Sequence, residues 1–233
     1  GLPHRAEVQA LSERYPPLGV AVDIVLFTVL EGRLEVLLTQ REAEPFRGAW
    51  SLPGGFVGAR ESAEQAAVRE LSEKAGVTEV YLEQLYTFSE PDRDPRSRVV
   101  SVAYYALASA ERGQLATGRR PSRWWPVRLE APGTLEVGDP PIRLAFDHGR
   151  ILETAVTRIR GKLDYAPIGF QLLPSEFTLT ELQQVYEAVL GAPMDKRNFR
   201  AKVQRSGQIR ALERFRTGSH RPARLYSFEG PVF

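Results

Sequence analysis

The chain has 233 residues, 42% hydrophobic and 26% charged, which is ordinary for a globular protein and sufficient for one large domain or two modest ones. It has no cysteine, which excludes disulfide and thiol chemistry and suits a cytoplasmic protein; no stretch has the apolar length of a membrane span, and the N-terminal residues lack a signal-peptide core. The net charge of +2 conceals a segregation, because Gly1–Tyr165 carries 21 basic and 23 acidic residues whereas Ala166–Phe233 carries 10 and 6, with all 10 of those basic residues between Asp195 and Arg224.

Gly19–Leu30 and Arg33–Thr39 are rich in Val, Leu and Ile around a Glu31-Gly32 turn, which predicts a hairpin. The stretch Trp50–Val57 carries a Pro-Gly-Gly turn and leads into a helix over Ala63–Ala75. Ser62 and Gln65 stand there at capping-box spacing, and Gly76 suits the left-handed position after the last turn. Val80–Phe88 and Val99–Leu107 read as strands on either side of a Pro/Asp/Arg loop, and Trp124–Leu129 as a short one. From Pro141 to Leu163 the apolar spacing predicts helix, broken near His148-Gly149.

Within the first half, Gly55–Val77 reads GFVGARESAEQAAVRELSEKAGV. It resembles the Nudix box GX5EX7REUXEEXGU, where U is a bulky aliphatic, at every defined position but one. Lys74 stands where the second Glu of the EE pair belongs. A cluster of carboxylates on one helix face holds the hard divalent cations that diphosphate cleavage needs. Helical spacing puts Glu70, Glu73 and Lys74 on one face, so an ammonium replaces one of the expected carboxylates. A unit-charge pair about 4 Å apart is worth roughly 4 kcal/mol at an effective dielectric of about 20, and twice that for a divalent ion. The expectation is a Nudix fold that is not an enzyme: Glu70 and Glu73 hold at most one weak Mg ion, or Lys74 takes the cation's place, and no cofactor is required.

After Ala166 the pattern changes. Thr178 and Glu181 form a second capping box for a helix to Leu190, Gly191–Met194 is a turn, and Asp195 is the N-cap of a helix over Lys196–Ser206. Two short helices joined by a Gly-containing turn predict a helix-turn-helix. Ile209–Arg216 and Ala223–Phe228 alternate like strands around 217–222, the place of a wing. On the second helix Phe199 and Val203 mark the buried face, leaving Arg197, Asn198, Ala201, Gln204 and Arg205 on the opposite one. Arg, Asn and Gln are the side chains that make bidentate contacts to purine edges, and Ala permits close approach to a thymine methyl. Lys196, Arg200, Lys202, Arg214, Arg216, Arg221 and Arg224 supply cations for phosphates. The plain alternative is a solvated basic helix, or a winged helix that docks protein.

Phe170–Gln183, Asp195–Arg200 and Arg221–Tyr226, placed behind a Nudix domain, closely resemble the Nudix-related transcriptional regulators of NAD metabolism, the NrtR family, over about Leu18–Phe228. The resemblance implies an α+β protein, with a Nudix α/β/α sandwich over 1–165 and a winged helix-turn-helix over 166–233. It also implies a homodimeric repressor of NAD metabolism genes that binds operator DNA and senses ADP-ribose or a related metabolite, some relatives responding to sugars. By the same resemblance Glu61 pairs with Arg69 to tie loop to helix. Diphosphate and adenine need cations and aromatic faces, which makes Arg41, Phe46, Arg47, Trp50, Gly54, Gly55, Arg93, Arg96, Arg98 and Tyr104 the candidates, with Trp50 and Tyr104 equally at home in a core. Competing readings are a residual hydrolase using Glu90, Asp92 or Asp94 as base, and a scaffold whose wing binds protein.

Overall fold

The computed structural model describes residues 15, 17–78, 80–114, 121–217 and 222–230. Its larger sheet is built from β1 (Gly19–Leu30), β2 (Arg33–Gln40), β3 (Trp50–Ser51), β4 (Gly54–Phe56), β5 (Tyr81–Phe88), β6 (Val99–Leu107), β7 (Ser122–Leu129) and β8 (Leu135–Val137). The order is β5-β6-β1-β2-β7-β8, with β3 on β2 and β4 on β1, and all pairs are antiparallel except β1 with β6. Side chains alternate across the central strands, so each face has its own core. Val22, Ile24, Leu26, Tyr104 and Ala106 face Ala66 and Ala67 of α1 (Ala63–Glu70) and Leu71 just after it. Val25, Phe27, Val36, Leu38 and Tyr105 face α3 (His148–Lys162) through Ile151, Leu152, Ala155, Val156 and Ile159. This is the predicted α/β/α sandwich; α2 (Ala110–Gln114) is a short addition beside it.

The second sheet, β10 (Ile209–Arg216), β11 (Ala223–Phe228) and β9 (Glu176–Phe177), belongs to the winged helix with α4 (Leu179–Leu190) and α5 (Lys196–Arg205). Both capping boxes form, at Ser62/Gln65 and Thr178/Glu181, and Gly76 and Gly191 end their helices at φ of 64° and 71°. The sandwich and the winged helix share one continuous apolar core, in which Leu163, Ile168 and Phe170 pass from α3 to Phe177, Leu182 and Phe199.

Two expectations need correction. The helix predicted from Pro141 begins only at His148, and residues 141–147 form turns in which Leu144 bridges to Trp50; the apolar spacing there serves packing under the sheet. The helix after Ser62 is α-helical only to Glu70, and Leu71–Ala75 is a π-helical turn. The short strands β8 and β9, and a 3₁₀ turn over Pro167–Leu172, were not anticipated.

Candidate functional site

The Nudix cleft lies where β1, β4, the π turn and the start of α3 meet. Gly54 and Gly55 are required there because a side chain on Gly55 would run into the Glu70 carboxylate, and one on Gly54 into the Val22 carbonyl. Arg69 holds the loop to the helix: its Nη2 lies 2.7 Å from Glu61 Oε1, its Nε 3.0 Å from Glu61 Oε2, and its Nη1 2.7 Å from Glu70 Oε1. The Arg69 guanidinium and the Gly58 N–H hold the Glu61 carboxyl down at about 2, below its ordinary 4.5. The Glu61–Arg69 pair expected from the resemblance is therefore present.

Lys74 is seated between the box glutamate and the Pro-Gly-Gly turn. Its ammonium lies 2.8 Å from Glu70 Oε2 and donates to the Gly54 carbonyl, while Glu73 points outward, half exposed and 4.0 Å from Arg69. Of the three side chains that simple helical spacing puts on one face, Glu70 and Lys74 meet and Glu73 does not join them; Glu73 and Lys74 both lie in the π turn, and π turns concentrate at sites of function. Among the described residues no cluster of three or more His, Cys, Asp or Glu side chains is placed to hold a metal ion. The donor set does not fit a divalent cation: one Glu70 oxygen faces Arg69, the other faces Lys74, and Glu73 is turned away.

The rest of the cleft is a buried charge cluster that the sequence did not reveal. Asp23, on β1, accepts from Ser101 Oγ (2.6 Å) and Arg93 Nη2 (3.2 Å), and His148 Nε2 lies 3.4 Å from its other oxygen. Burial alone would push the Asp23 carboxyl up; contacts with His148, Ser101 and Arg93 outweigh it and hold the group well below the usual carboxylate range. His148 Nδ1 accepts the Leu52 N–H at 2.9 Å, which puts the imidazole proton on Nε2, facing Asp23. Arg93 also grips Asp147, through Nε at 3.0 Å and Nη2 at 2.8 Å. Arg96 is paired with Asp94 at 2.7 Å, and its guanidinium and that of Arg41 lie over the Phe146 ring at 5.6 and 4.7 Å.

Of the predicted effector residues, Arg41, Gly54, Gly55, Arg93 and Arg96 line the cleft, together with Asp23, Lys74, Phe146 and His148. The other five stand apart. Phe46 packs edge-on against Phe146 at 4.8 Å, Arg47 is exposed beside Glu44, and Trp50 packs edge-on against Trp125 at 5.0 Å. Arg98 donates to the Ser89 and Glu90 carbonyls, and Tyr104 is buried in the α1-side core. The free volume is about 100 Å³, below the roughly 300 to 1,000 Å³ of ordinary ligand pockets. The guanidiniums of Arg41, Arg93 and Arg96 and the Phe146 ring form part of the cleft's wall.

On the winged helix, Phe199 and Val203 are buried as expected, and Phe199 meets Tyr186 of α4 edge-on at 5.3 Å. Asp195 caps α5 by accepting from the Asn198 N–H at 2.8 Å. Lys196, Arg197, Asn198, Lys202, Gln204 and Arg205 are exposed and Ala201 half-buried, so the predicted reading face is presented to solvent. Arg205 Nε bonds to the Ala201 carbonyl at 3.1 Å, which lays it along the helix. Arg200 is half-buried and donates to Thr180 Oγ1 at 3.3 Å. The strand arginines are engaged: Arg214 pairs with Glu176, Arg216 with Glu181 and the Glu176 carbonyl, and Arg224 bonds to the Leu212 carbonyl. Arg221 lies outside the described residues.

Comparison with known proteins agrees with both halves. Residues 17–145 match the NUDIX domain family, and residues 169–228 match the NrtR DNA-binding winged helix domain. An "ADPR responsive transcriptional repressor NtrR" of Acinetobacter baylyi is 37% identical over 216 residues, covering 92% of this chain and 83% of the relative. The crystal structure of Shewanella oneidensis NrtR complexed with a 27mer DNA is 38% identical, covers 90% of this chain and 93% of that one, and superposes with a TM-score of 0.77. The NUDIX domain of the same Shewanella protein complexed with ADP ribose is 37% identical over 67% of this chain and 99% of that one, with a TM-score of 0.53. An ADP-ribose pyrophosphatase of Methanocaldococcus jannaschii is 35% identical over 134 residues, 58% of this chain and 70% of the relative. With a Nudix domain and an NrtR winged helix in one chain, and full-length likeness to NrtR regulators, this protein belongs to the NrtR family of Nudix-related transcriptional regulators.

Proposed function

We propose that the chain is a homodimeric, DNA-binding transcriptional repressor of NAD metabolism genes, working in the cytoplasm, whose Nudix domain senses ADP-ribose without hydrolysing it. The observation that carries this reading is the position of Lys74, seated against Glu70 and the Gly54 carbonyl where the box would otherwise recruit a metal. A protonated amine facing the cleft supplies the charge that a diphosphate needs but activates no water. Arg41 and Arg96 add cations, and the Phe146 ring supplies a face for a base. The cleft must open to admit so large a ligand, and the cover that has to move is the Arg41–Phe146–Arg96 stack.

The α5 face supports the other half of the reading. Arg197, Asn198 and Gln204 present base-reading groups, with Lys196 and Lys202 beside them for phosphates. A homodimer places two such helices in successive major grooves about 34 to 36 Å apart, or a multiple of that, and so reads a near-palindromic site. The test is a gel-shift titration of the full chain on the DNA upstream of its own gene, with and without ADP-ribose. The expected result is a retarded band that ADP-ribose weakens and a sugar does not; retardation insensitive to ADP-ribose refutes the effector, and absence of retardation at low salt refutes the DNA reading.

A second reading, residual ADP-ribose pyrophosphatase activity, is supported by the intact Glu61–Arg69–Glu70 set and the Methanocaldococcus relative. Mg-dependent release of AMP from ADP-ribose by the unmodified chain would establish it. On the sensor reading no turnover occurs, calorimetric binding of ADP-ribose is the same in EDTA as in Mg, and Lys74→Met weakens it at least tenfold, since it removes one charge-assisted hydrogen bond of about 1.5 to 3 kcal/mol.

A further inference from the structure

Helix α3 touches the Nudix cleft at one end and the winged helix at the other. Phe146 and His148 line the cleft, and Asp147 between them is held by Arg93. Phe146 has a φ of 51°, a left-handed conformation that a bulky residue adopts only under constraint from its surroundings. A ligand larger than the cleft in this state has to displace Phe146 or the guanidiniums that cover it, and Phe146 sits just ahead of the first turn of α3. The helix cannot absorb that displacement by deforming: Ile151, Leu152, Ala155 and Val156 are fully buried against the sheet, and close-packed interiors transmit strain.

Twelve residues beyond His148, about 18 Å along the axis, Arg160 reaches out of the last turn of α3. Its Nε donates to the Val189 carbonyl at 2.8 Å and its Nη1 to the Leu129 carbonyl at 2.6 Å. The guanidinium thus joins the end of α4 to the edge of the larger sheet. It is half-buried, burial pulls its pKa down, and peptide carbonyls rather than a carboxylate satisfy it. Beyond Val189, Glu187 accepts the Met194 N–H at 2.8 Å and Gln183 donates to the Met194 carbonyl at 3.2 Å. Asp195 follows at once and caps α5. Each link from Arg160 to the first turn of the recognition helix is therefore a hydrogen bond or a fixed turn. Beside them an open interdomain cleft of about 790 Å³, lined by Leu129, Arg160, Glu187 and Gly191 among others, leaves the turn room to shift.

We propose that α3 is the strut carrying the state of the Nudix cleft to the recognition helix, and that Arg160 is the positioning residue at its far end. The part that concerns ADP-ribose rests on the regulatory reading above; the part that concerns the placement of α5 does not. Arg160 lies outside the lining of the Nudix cleft and outside α5, so its removal should separate two properties that a local defect would lose together.

The experiment uses full-length Arg160→Met and Arg160→Lys beside the unmodified chain. Four quantities are read: ADP-ribose affinity by calorimetry, operator affinity without ligand, operator affinity at saturating ADP-ribose, and amide hydrogen exchange over 189–194. In the unmodified chain ADP-ribose changes operator affinity by about 5- to 150-fold, the usual size of such coupling. In Arg160→Met, ADP-ribose affinity stays within about twofold, the coupling ratio falls toward 1, amides over 189–194 lose protection, and operator affinity of the free protein drops. Arg160→Lys, which reaches one carbonyl at a time, falls between the two and carries the test if the Met variant does not fold. An unchanged coupling ratio together with unchanged protection overturns the proposal. If the unmodified chain ignores ADP-ribose, the regulatory reading fails by itself; Arg160 is then judged on protection and ligand-free operator affinity, and no change in either overturns its role.

Discussion

The cations of the Nudix cleft and those of α5 are held in opposite ways. Arg93 is buried between Asp23 and Asp147, Arg69 is shared by Glu61 and Glu70, Arg96 is closed on Asp94, and Lys74 rests on Glu70. On α5, Lys196, Arg197 and Lys202 reach solvent without an ion pair among the described residues. Positive charge that is already answered inside the protein holds geometry, and positive charge left unanswered waits for a polyanion. On the proposed reading the cleft discriminates a small ligand by what that ligand must displace, whereas α5 gains affinity from every phosphate it neutralises.

The largest effect should come from breaking the first kind. Replacing Arg93 by Met leaves Asp23 and Asp147 facing each other without their shared cation, and removing one partner of a buried ion pair costs about 3 to 5 kcal/mol. At about 2 to 4 °C per kcal/mol for a chain of this size, the melting temperature should fall on the order of 10 °C. A loss below about 1 kcal/mol in denaturant titration would mean that Ser101 and His148 suffice for Asp23 and that Arg93 belongs to the ligand instead.

Next in size is the opposite kind. Arg197→Ala and Asn198→Ala should leave stability within about 0.5 kcal/mol, as for other exposed sites, yet each should remove about 1 to 3 kcal/mol of discrimination between operator and random DNA. Competition binding on the two DNAs measures this. Equal losses on both would show that α5 is not the reader and would turn attention to the wing.

The contrast also marks what could be read from the chain. Features fixed by neighbours in sequence were legible: the two capping boxes, the left-handed Gly76, the turn at Gly191, the strands of the central sheet, and the Phe199/Val203 seam of α5. The Arg93 cluster was not, because its partners lie 70 and 54 residues away and Asp23 sits inside an apolar strand that gives no sign of a charge. His148 is a lone histidine in a stretch read as broken helix, and only the fold sets its ring against Leu52 and Asp23. Tyr104 and Trp50 were named for their aromatic faces, but strand alternation and the Trp125 ring place them in packing. The π turn was invisible because its residues, Leu-Ser-Glu-Lys-Ala, suit an ordinary helix equally well; Lys74 is held by Glu70, four residues back, and by the Gly54 carbonyl, 20 residues away.

A smaller effect tests the loop-to-helix tie by pH. The Glu61 carboxyl is held at about 2 against an ordinary 4.5 by Arg69 and the Gly58 N–H. A lowered folded pKa means that the unfolded chain binds the proton first as pH falls, so this contribution is complete above 4.5 and is lost as pH drops toward about 2. Glu61→Gln should be less stable than the parent at pH 7, with the gap narrowing as pH is lowered through that window. A gap that stays constant across it would show that the pair contributes through shape alone.

The smallest effect belongs to the wing, where the two kinds of cation meet. Arg216 is exposed like the α5 cations but closed on Glu181, the residue that completes the cap of α4, and on the Glu176 carbonyl. As a surface ion pair it should contribute no more than about 1 kcal/mol to stability. Its use on DNA has a cost the α5 lysines do not bear, since a phosphate must replace Glu181 before any net charge is neutralised. The slope of log affinity against log salt should therefore flatten by about 0.9 in Lys202→Ala, which leaves one phosphate fewer neutralised, but by clearly less in Arg216→Ala. An equal flattening in Arg216→Ala would mean that the Glu181 pair opens on DNA. The α4 cap would then be weakened in the complex, and the double variant Arg216→Ala/Glu181→Gln would show the same slope as Arg216→Ala, with no further fall in affinity.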